Sequence, residues 1–239
     1  MKIVNAVWEK RNIGCETTEV TFEQDDSLAE AEKLAKKLGT EYIVLKIPSY
    51  RTDIMLTVQK YGYTYIEDMV YLVHYLGEVQ RNRIEQRIYD AVSYELMNDD
   101  DIVMLKEEIR CGLFESDRIY IDSHFSHEQA AQRYIYWIDD ELGRGTEFYK
   151  YIYKNRTVGF FALKENTPGH FTSFLGGIYL DCRKGGIGVA VKVPELVKSR
   201  GGKSLSGFVS SNNLSQIKNL VKNGYIPEGV FHTFIKHNS

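Results

Sequence analysis

The chain has 239 residues, 43% of them hydrophobic and 26% charged, with a formal net charge of −3. That balance describes a globular protein with room for one large core or two smaller ones, and it excludes the basic footprint that nucleic-acid binding requires. The 3 cysteines form no CxxC pair, which argues against a zinc site or a disulfide frame, and no apolar run reaches the ~18 residues of a membrane span.

The start, "MKIVNAVWEK", is charged and lacks the apolar core of a signal peptide, so a cytoplasmic location is expected. Residues 1–78 read as a first block. Ser27, with Glu30 three residues on and Gly39 beyond, predicts a helix over 27–39. "EYIVLKI" (41–47) reads as a strand, 50–63 as a helix closed by Gly62, and "DMVYLVHYL" as the strand behind it. Within the polar stretch "GEVQRNRIEQ", residues 79–86 are the expected connection.

Residues 87–239 read as a second block. A strand over 87–97 comes first, and "NDDD" then places acidic residues at a helix N-terminus, where they cap and favour the dipole. An amphipathic helix follows over 126–143, then the strands "EFYKYIYKN", "TVGFFALKE" and "FTSFLGGIYLD". After the glycine turn "RKGGIG" the pattern gives a helix (189–199), a strand (204–211), a helix (214–224) and a closing strand around "VFHTFIKH". The order predicts an α/β protein with a mixed sheet. The two blocks also echo one another, because Ser49, Lys60, Gly62 and Tyr63 fall on Ser211, Lys222, Gly224 and Tyr225.

The glycine turn has two readings. It either turns the chain, or its glycines bring backbone N–H groups close to a phosphate in front of a helix start. Lys184, Lys192, Lys198 and Lys203 gather nearby, as a solvated face or as partners of a small polyanion. Other features carry less. His124, His127 and Glu128 have helical spacing with no further ligand in view, so no metal site is expected, and Cys182 has no His partner in sequence. Ser210 to Asn213 form a polar loop that either binds a ligand or caps the next helix.

Arg-x-x-Gly-x-Gly after a strand, followed by a strand, an Asn-bearing loop, a helix and "NGY", resembles the acetyl-CoA motif of the GNAT (general N-acyltransferase) superfamily. The resemblance implies a GNAT-like fold over residues 87–239, with acetyl-CoA as co-substrate. Gly176, Gly177 and Ile178 would then hold the pantetheine, Arg183, Lys184, Gly185, Gly186, Ile187, Gly188 and Val189 would cradle the pyrophosphate, and Asn213 would contact the cofactor. The segment "LFESDRIYIDSHFSHEQAAQRYIYWI" is similar to the dTDP-fucosamine acetyltransferase branch. That branch carries an N-terminal partial acetyltransferase domain, here residues 1–78, often opening with a Trp as at Trp8. The implied partner is a small-molecule amine, an amino sugar on a nucleotide carrier in that branch, with a homodimer as the assembly to consider and neither nucleic acid nor membrane involved.

The chain departs from the family at its proton relays. The usual general-acid Tyr is Leu220, and the usual acidic base falls near Phe208, and neither can move a proton. His232 and Tyr225 are the substitutes the sequence offers. The alternative is a catalytically silent CoA-binding or interaction module on the same fold.

Overall fold

The computed structural model describes residues 1–189 and 191–238. The first part of the chain forms β1 (Lys2–Asn5), α1 (Trp8–Ile13), β2 (Thr17–Thr21), α2 (Leu28–Lys37), β3 (Tyr42–Pro48), α3 (Thr52–Gln59) and β4 (Thr64–His74). There follow α4 (Arg83–Ala91), β5 (Val92–Leu96), α5 (Asp99–Arg110), α6 (Arg118–Ile121), α7 (His127–Gly143), β6 (Glu147–Tyr153), β7 (Arg156–Thr167) and β8 (His170–Ile178). Two 3-10 turns, Leu180–Gly185 and Ile187–Val189, lead to α8 (Val193–Ser199), β9 (Ser204–Ser210), α9 (Leu214–Lys222) and β10 (Ile226–His237). Among the described residues no helix is long and apolar enough to cross a membrane.

Local chemistry explains most of these elements and the places where expectation and structure part. The acidic run after Asn98 starts α5 through a capping box with Asp101, and Ser126 with Gln129 does the same for α7. The strand expected over 87–97 is confined to Val92–Leu96. The Asn82 side chain accepts from the backbone N–H of Ile84 and Glu85, and the resulting capping box starts α4 inside the stretch that read as connection and strand. The helix expected over 189–199 starts only at Val193, with Pro194 in its first turn and Lys192 before it, while Ala190 lies outside the described residues.

The ten strands of the described residues form one mixed sheet, in the order β1-β2-β3-β10-β4-β9-β8-β7-β6-β5. Alternate residues of each strand feed opposite faces. On β3, Ile43, Leu45 and Ile47 pack with Ala31 and Ala35 of α2 and Ile54 and Val58 of α3, while Tyr42 and Val44 point the other way, towards Ile119 of α6 and Ala130 of α7. On β7, Phe161 and Leu163 join Val193 and Val197 of α8, while Phe160 and Ala162 join Leu105 of α5 and Ile138 of α7. Helices α2, α3, α8 and α9 thus cover one face, and α1, α5, α6 and α7 the other.

The centre of the sheet carries a pseudo-two-fold relation that gives the sequence echo a physical form. The last strand, β10, lies between β3 and β4, so the chain's two halves exchange their final strands. The β10–β3 pair Phe231–Pro48 recurs as the β4–β9 pair Met69–Ser210, with 162 positions separating Phe231 from Met69 and Ser210 from Pro48 alike. The same displacement turns the bond from Ser49 N–H to the Val230 carbonyl (2.9 Å) into that from Ser211 N–H to the Asp68 carbonyl (2.8 Å). Gly62 and Gly224 both end a helix with a left-handed φ, of 82° and 87°, and each delivers a buried tyrosine, Tyr63 or Tyr225.

Candidate functional site

The two halves differ at one place. In the first, parallel β2 and β3 stay in register over all of β2, from Thr17–Tyr42 to Thr21–Lys46. In the second, parallel β8 and β9 pair only from His170–Ser204 to Thr172–Ser206 and then part. Two features cause the fork. The β7–β8 register shifts between Ala162 and Leu163, so Phe174 is the extra residue of a bulge, which bends and twists β8 where it leaves β9. Gly207 stands on β9 at the branching point, where an added Cβ would lie 2.8 Å from the Ser173 carbonyl oxygen, so the strands can approach there only because the side chain is missing.

Beyond the fork, Gly176, Gly177 and Ile178 pair with Phe161, Phe160 and Gly159 of β7 on one edge and meet no strand on the other. That free edge lines a cavity of about 930 Å³ which passes through the sheet. On the α8/α9 face the cavity touches Val193, Leu220 and Tyr225, and on the opposite face it touches Phe114, Tyr134 and Trp137.

The residues expected at a pyrophosphate cradle are divided. Gly188 lines the cavity, and an added Cβ there would come 3.8 Å from Asn219 Nδ2 on α9. Ile187 is buried in the core. Arg183, Lys184 and Gly186 are exposed and outside the lining, Arg183 donating to the Leu113 carbonyl at 2.7 Å, and Gly185 and Val189 end the first and second 3-10 turns. Among the described residues no α-helix starts on this turn, α8 beginning at Val193. Asn213 both lines the cavity and caps α9, accepting from the Gln216 N–H at 3.2 Å. The two readings of Asn213 are therefore compatible.

The two substitute proton carriers also separate. Tyr225 lines the cavity, and burial raises its hydroxyl well above the usual tyrosine range, so it stays protonated. His232 lies outside the lining. It sits opposite Asp68 on the neighbouring strand, its Nδ1 is 2.5 Å from the Asp68 carboxylate, and both belong to the α2/α3 face, away from the chamber under α6 and α7.

Sequence reading missed a charged floor in that chamber. Glu67 of β4 is 3% exposed, and its Oε2 has no hydrogen-bond partner. Burial raises its carboxyl above the ordinary range, partly opposed by Ser210 and the Arg118 charge. Around it the charges are paired. The fully buried Glu9 holds Arg133 at 2.8 Å, and Glu19 takes Arg118 at 2.5 Å and Lys46 at 2.9 Å. Removing one partner from such a network strands a buried charge and costs about 3–5 kcal/mol. The one signal within the sequence was a Glu67–Asp68 pair in an apolar strand, one acid for each face.

The network has a pH signature. Burial alone would raise the Glu19 carboxyl, but Arg118 and Lys46 hold it down at about 2, below its ordinary 4.5. A depressed pKa contributes stability that is complete above the ordinary value and is lost as pH falls towards the folded one. Thermal melts between pH 5 and pH 2 are therefore expected to lose on the order of 3 kcal/mol through this residue, and Glu19→Gln to flatten that part of the profile. A variant profile parallel to wild type would remove Glu19 from the account.

A second polar group ties the closing strand to α6. Asp122 accepts His237 Nε2 at 2.8 Å and faces His124 Nδ1 at 3.2 Å, and the two imidazoles stack 3.7 Å apart at 12°. The three offer ligand atoms within 4.8 Å of one another. Nearly parallel rings at that spacing would place a shared ion far out of both ring planes, so the arrangement is that of a carboxylate clamp. His127 instead stacks on Tyr120.

No protein-family model matches the chain, and no curated protein matches it. Solved structures match at low identity. A GCN5-related N-acetyltransferase from Sphaerobacter thermophilus aligns with a TM-score of 0.65 at 12% identity, over 99% of this chain and 75% of that one. A tandem GNAT protein from the clavulanic acid biosynthesis pathway aligns with 0.57 at 12%, over 94% and 76%. The glucosamine N-acetyltransferase region of a fungal multi-domain β-N-acetylglucosaminidase aligns with 0.59 at 13%, over 82% of this chain and 25% of that one. The chain therefore has the mixed α/β fold of the GCN5-related N-acetyltransferases.

Proposed function

We propose that the protein is an N-acyltransferase that moves an acetyl group from acetyl-CoA to a primary amine. The observation that carries this reading is the fork, which leaves the Gly176–Ile178 edge of β8 free along a cavity that crosses the sheet. A free strand edge offers backbone N–H and C=O groups to the amides of an extended pantetheine. On the far side of the fork Glu67 lines the chamber with an unpartnered oxygen.

In the reaction, Glu67 takes the proton that the amine nitrogen must lose to attack the thioester carbonyl. Backbone N–H groups near Ile178 hold the carbonyl oxygen as it gains charge. The carbon–sulfur bond then breaks, and Tyr225 is the protonated group available to the departing thiolate. Leu220 occupies the position of the expected acid and supplies packing alone. An amino sugar is the acceptor proposed on the sequence resemblance, and the glucosamine N-acetyltransferase neighbour supports it.

Calorimetric titration with acetyl-CoA, CoA and desulfo-CoA, followed by an amine screen for CoA release, tests the assignment. No cofactor binding by the folded protein would sink it, and binding without turnover on any amine would assign the silent module instead.

The glycine turn has its own test. Gly186 has φ +66°, and an added Cβ would meet nothing within 4 Å, so Gly186→Asp costs about 1 kcal/mol of backbone strain and leaves the fold intact. If the turn holds the pyrophosphate, the added carboxylate should weaken acetyl-CoA binding by about tenfold or more. Unchanged affinity would mean that the glycines only turn the chain.

A further inference from the structure

We infer that the acceptor is a primary amine on an uncharged ring, its ammonium held by Glu67, and that the chamber rejects amines bearing an anionic group beside the nitrogen. The inference rests on the acyltransferase reading of the same cavity.

Charge balance comes first. Each cation near the chamber floor already has carboxylate partners. Lys46 lies 2.9 Å from Glu19, Arg118 lies 2.5 Å from Glu19 and 3.6 Å from Glu9, and Arg133 lies 2.8 Å from Glu9 and 3.5 Å from Asp117. Glu67 is the carboxylate left over, since Glu9, Glu19, Asp117 and Glu67 face only Lys46, Arg118 and Arg133. A ligand cation completes this set. A ligand carboxylate or phosphate beside the ammonium finds no cation without a carboxylate partner and lies close to a buried anion instead, since Lys2, a lining lysine with no such partner among the described residues, stands on β1, four places from β4 in the sheet. Oγ1 of Thr233, the residue opposite Glu67 on β10, is also buried there without a partner, and so is Arg118 Nε. With its charge already balanced, that N–H suits a neutral hydroxyl or carbonyl oxygen.

The walls specify the rest of the ligand. Phe114 and Tyr134 lie 4.6 Å apart at 37°, and Trp137 and Phe174 lie 5.3 Å apart at 39°, so this part of the chamber wall is an aromatic cluster drawn from α7, the β8 bulge and the segment between α5 and α6. Such a surface takes the face of an uncharged ring, whether aromatic or the C–H face of a sugar. A nucleotide carrier, if there is one, has to keep its phosphates outside this chamber.

Matched pairs test the inference by calorimetry without acetyl-CoA, so its failure is separable from failure of the acyltransferase reading. Tyramine is compared with tyrosine, and glucosamine with glucosamine 3-sulfate, so that in each pair the added anion stands beside the nitrogen. In at least one pair, the amine without the anion should bind about 30-fold or more tightly than its anionic partner. Glu67→Gln should weaken that amine about tenfold and bring the pair within about threefold of each other. Removing a buried unpartnered charge does not threaten folding, and a thermal melt of the variant checks this. Equal or tighter binding of the anionic partners, a ratio unchanged in Glu67→Gln, or no binding of any of the four would each overturn the inference.

Discussion

Glu67→Gln lowers kcat for acetyl transfer by about 10²–10³-fold while leaving acetyl-CoA affinity within a few-fold of wild type. The amide keeps the shape and loses the ability to accept a proton. Because burial raises the Glu67 carboxyl, the acid limb of the wild-type rate profile lies above the range of a free carboxylate, and the variant lacks that limb. The same shift predicts the effect on folding. A carboxyl whose folded pKa lies above its unfolded value costs stability once pH rises past the unfolded value, so at neutral pH Glu67→Gln melts at a higher temperature than wild type. A variant that is less active and more stable marks a functional buried charge. One that keeps full activity, or loses activity only because it unfolds, removes Glu67 from the reaction.

The second large effect is at the free edge of β8. An added Cβ at Gly177 would have only Phe114 Cε1 (3.8 Å) and Leu113 Cδ1 (3.9 Å) near it, both in ordinary contact range. Gly177→Val therefore fits the strand without backbone movement, and valine suits an extended conformation. Its methyl groups enter the slot where the thioester end has to lie. The acetyl-CoA dissociation constant is expected to rise about 100-fold while the melting temperature moves by only a few degrees. Gly176→Val is a poorer probe, since its Cβ would lie 3.2 Å from the Phe160 carbonyl oxygen and so strain the sheet as well. Unimpaired binding by folded Gly177→Val would show that acetyl-CoA does not run along β8.

Several parts of this site are legible in the sequence. Gly176, Gly177 and Ile178, which the motif resemblance singles out, lie on the free edge of β8 and line the cavity, and a strand with two successive glycines ahead of a glycine turn is a local pattern. Asn213 is legible for the same reason. Glu67 is not. It reaches the chamber because β4 pairs with β9, across a separation of over 100 residues, and nothing within a few positions of Glu67 records that partner. Arg118 and Arg133 are visible as residues of the "DRIYID" segment and of a helix. Their role as counter-charges to Glu9 and Glu19 depends on how α6 and α7 lie against α1 and β2. His232 misleads for the complementary reason, since alternation along β10 sets which face it joins, and only the sheet order identifies the face with the chamber.

Local order along the chain specifies the α/β class, most of the helices and strands, and the glycine-marked turns, because periodicity, caps and positive-φ positions act within a few residues. The exchange of β4 and β10, the fork at Gly207, the bulge at Phe174 and the meeting of Glu67 with the cavity arise only in the assembled sheet. Those features follow from which strands become neighbours once both faces of a ten-stranded sheet are buried, a choice made by the packing of the whole chain that no local spacing encodes.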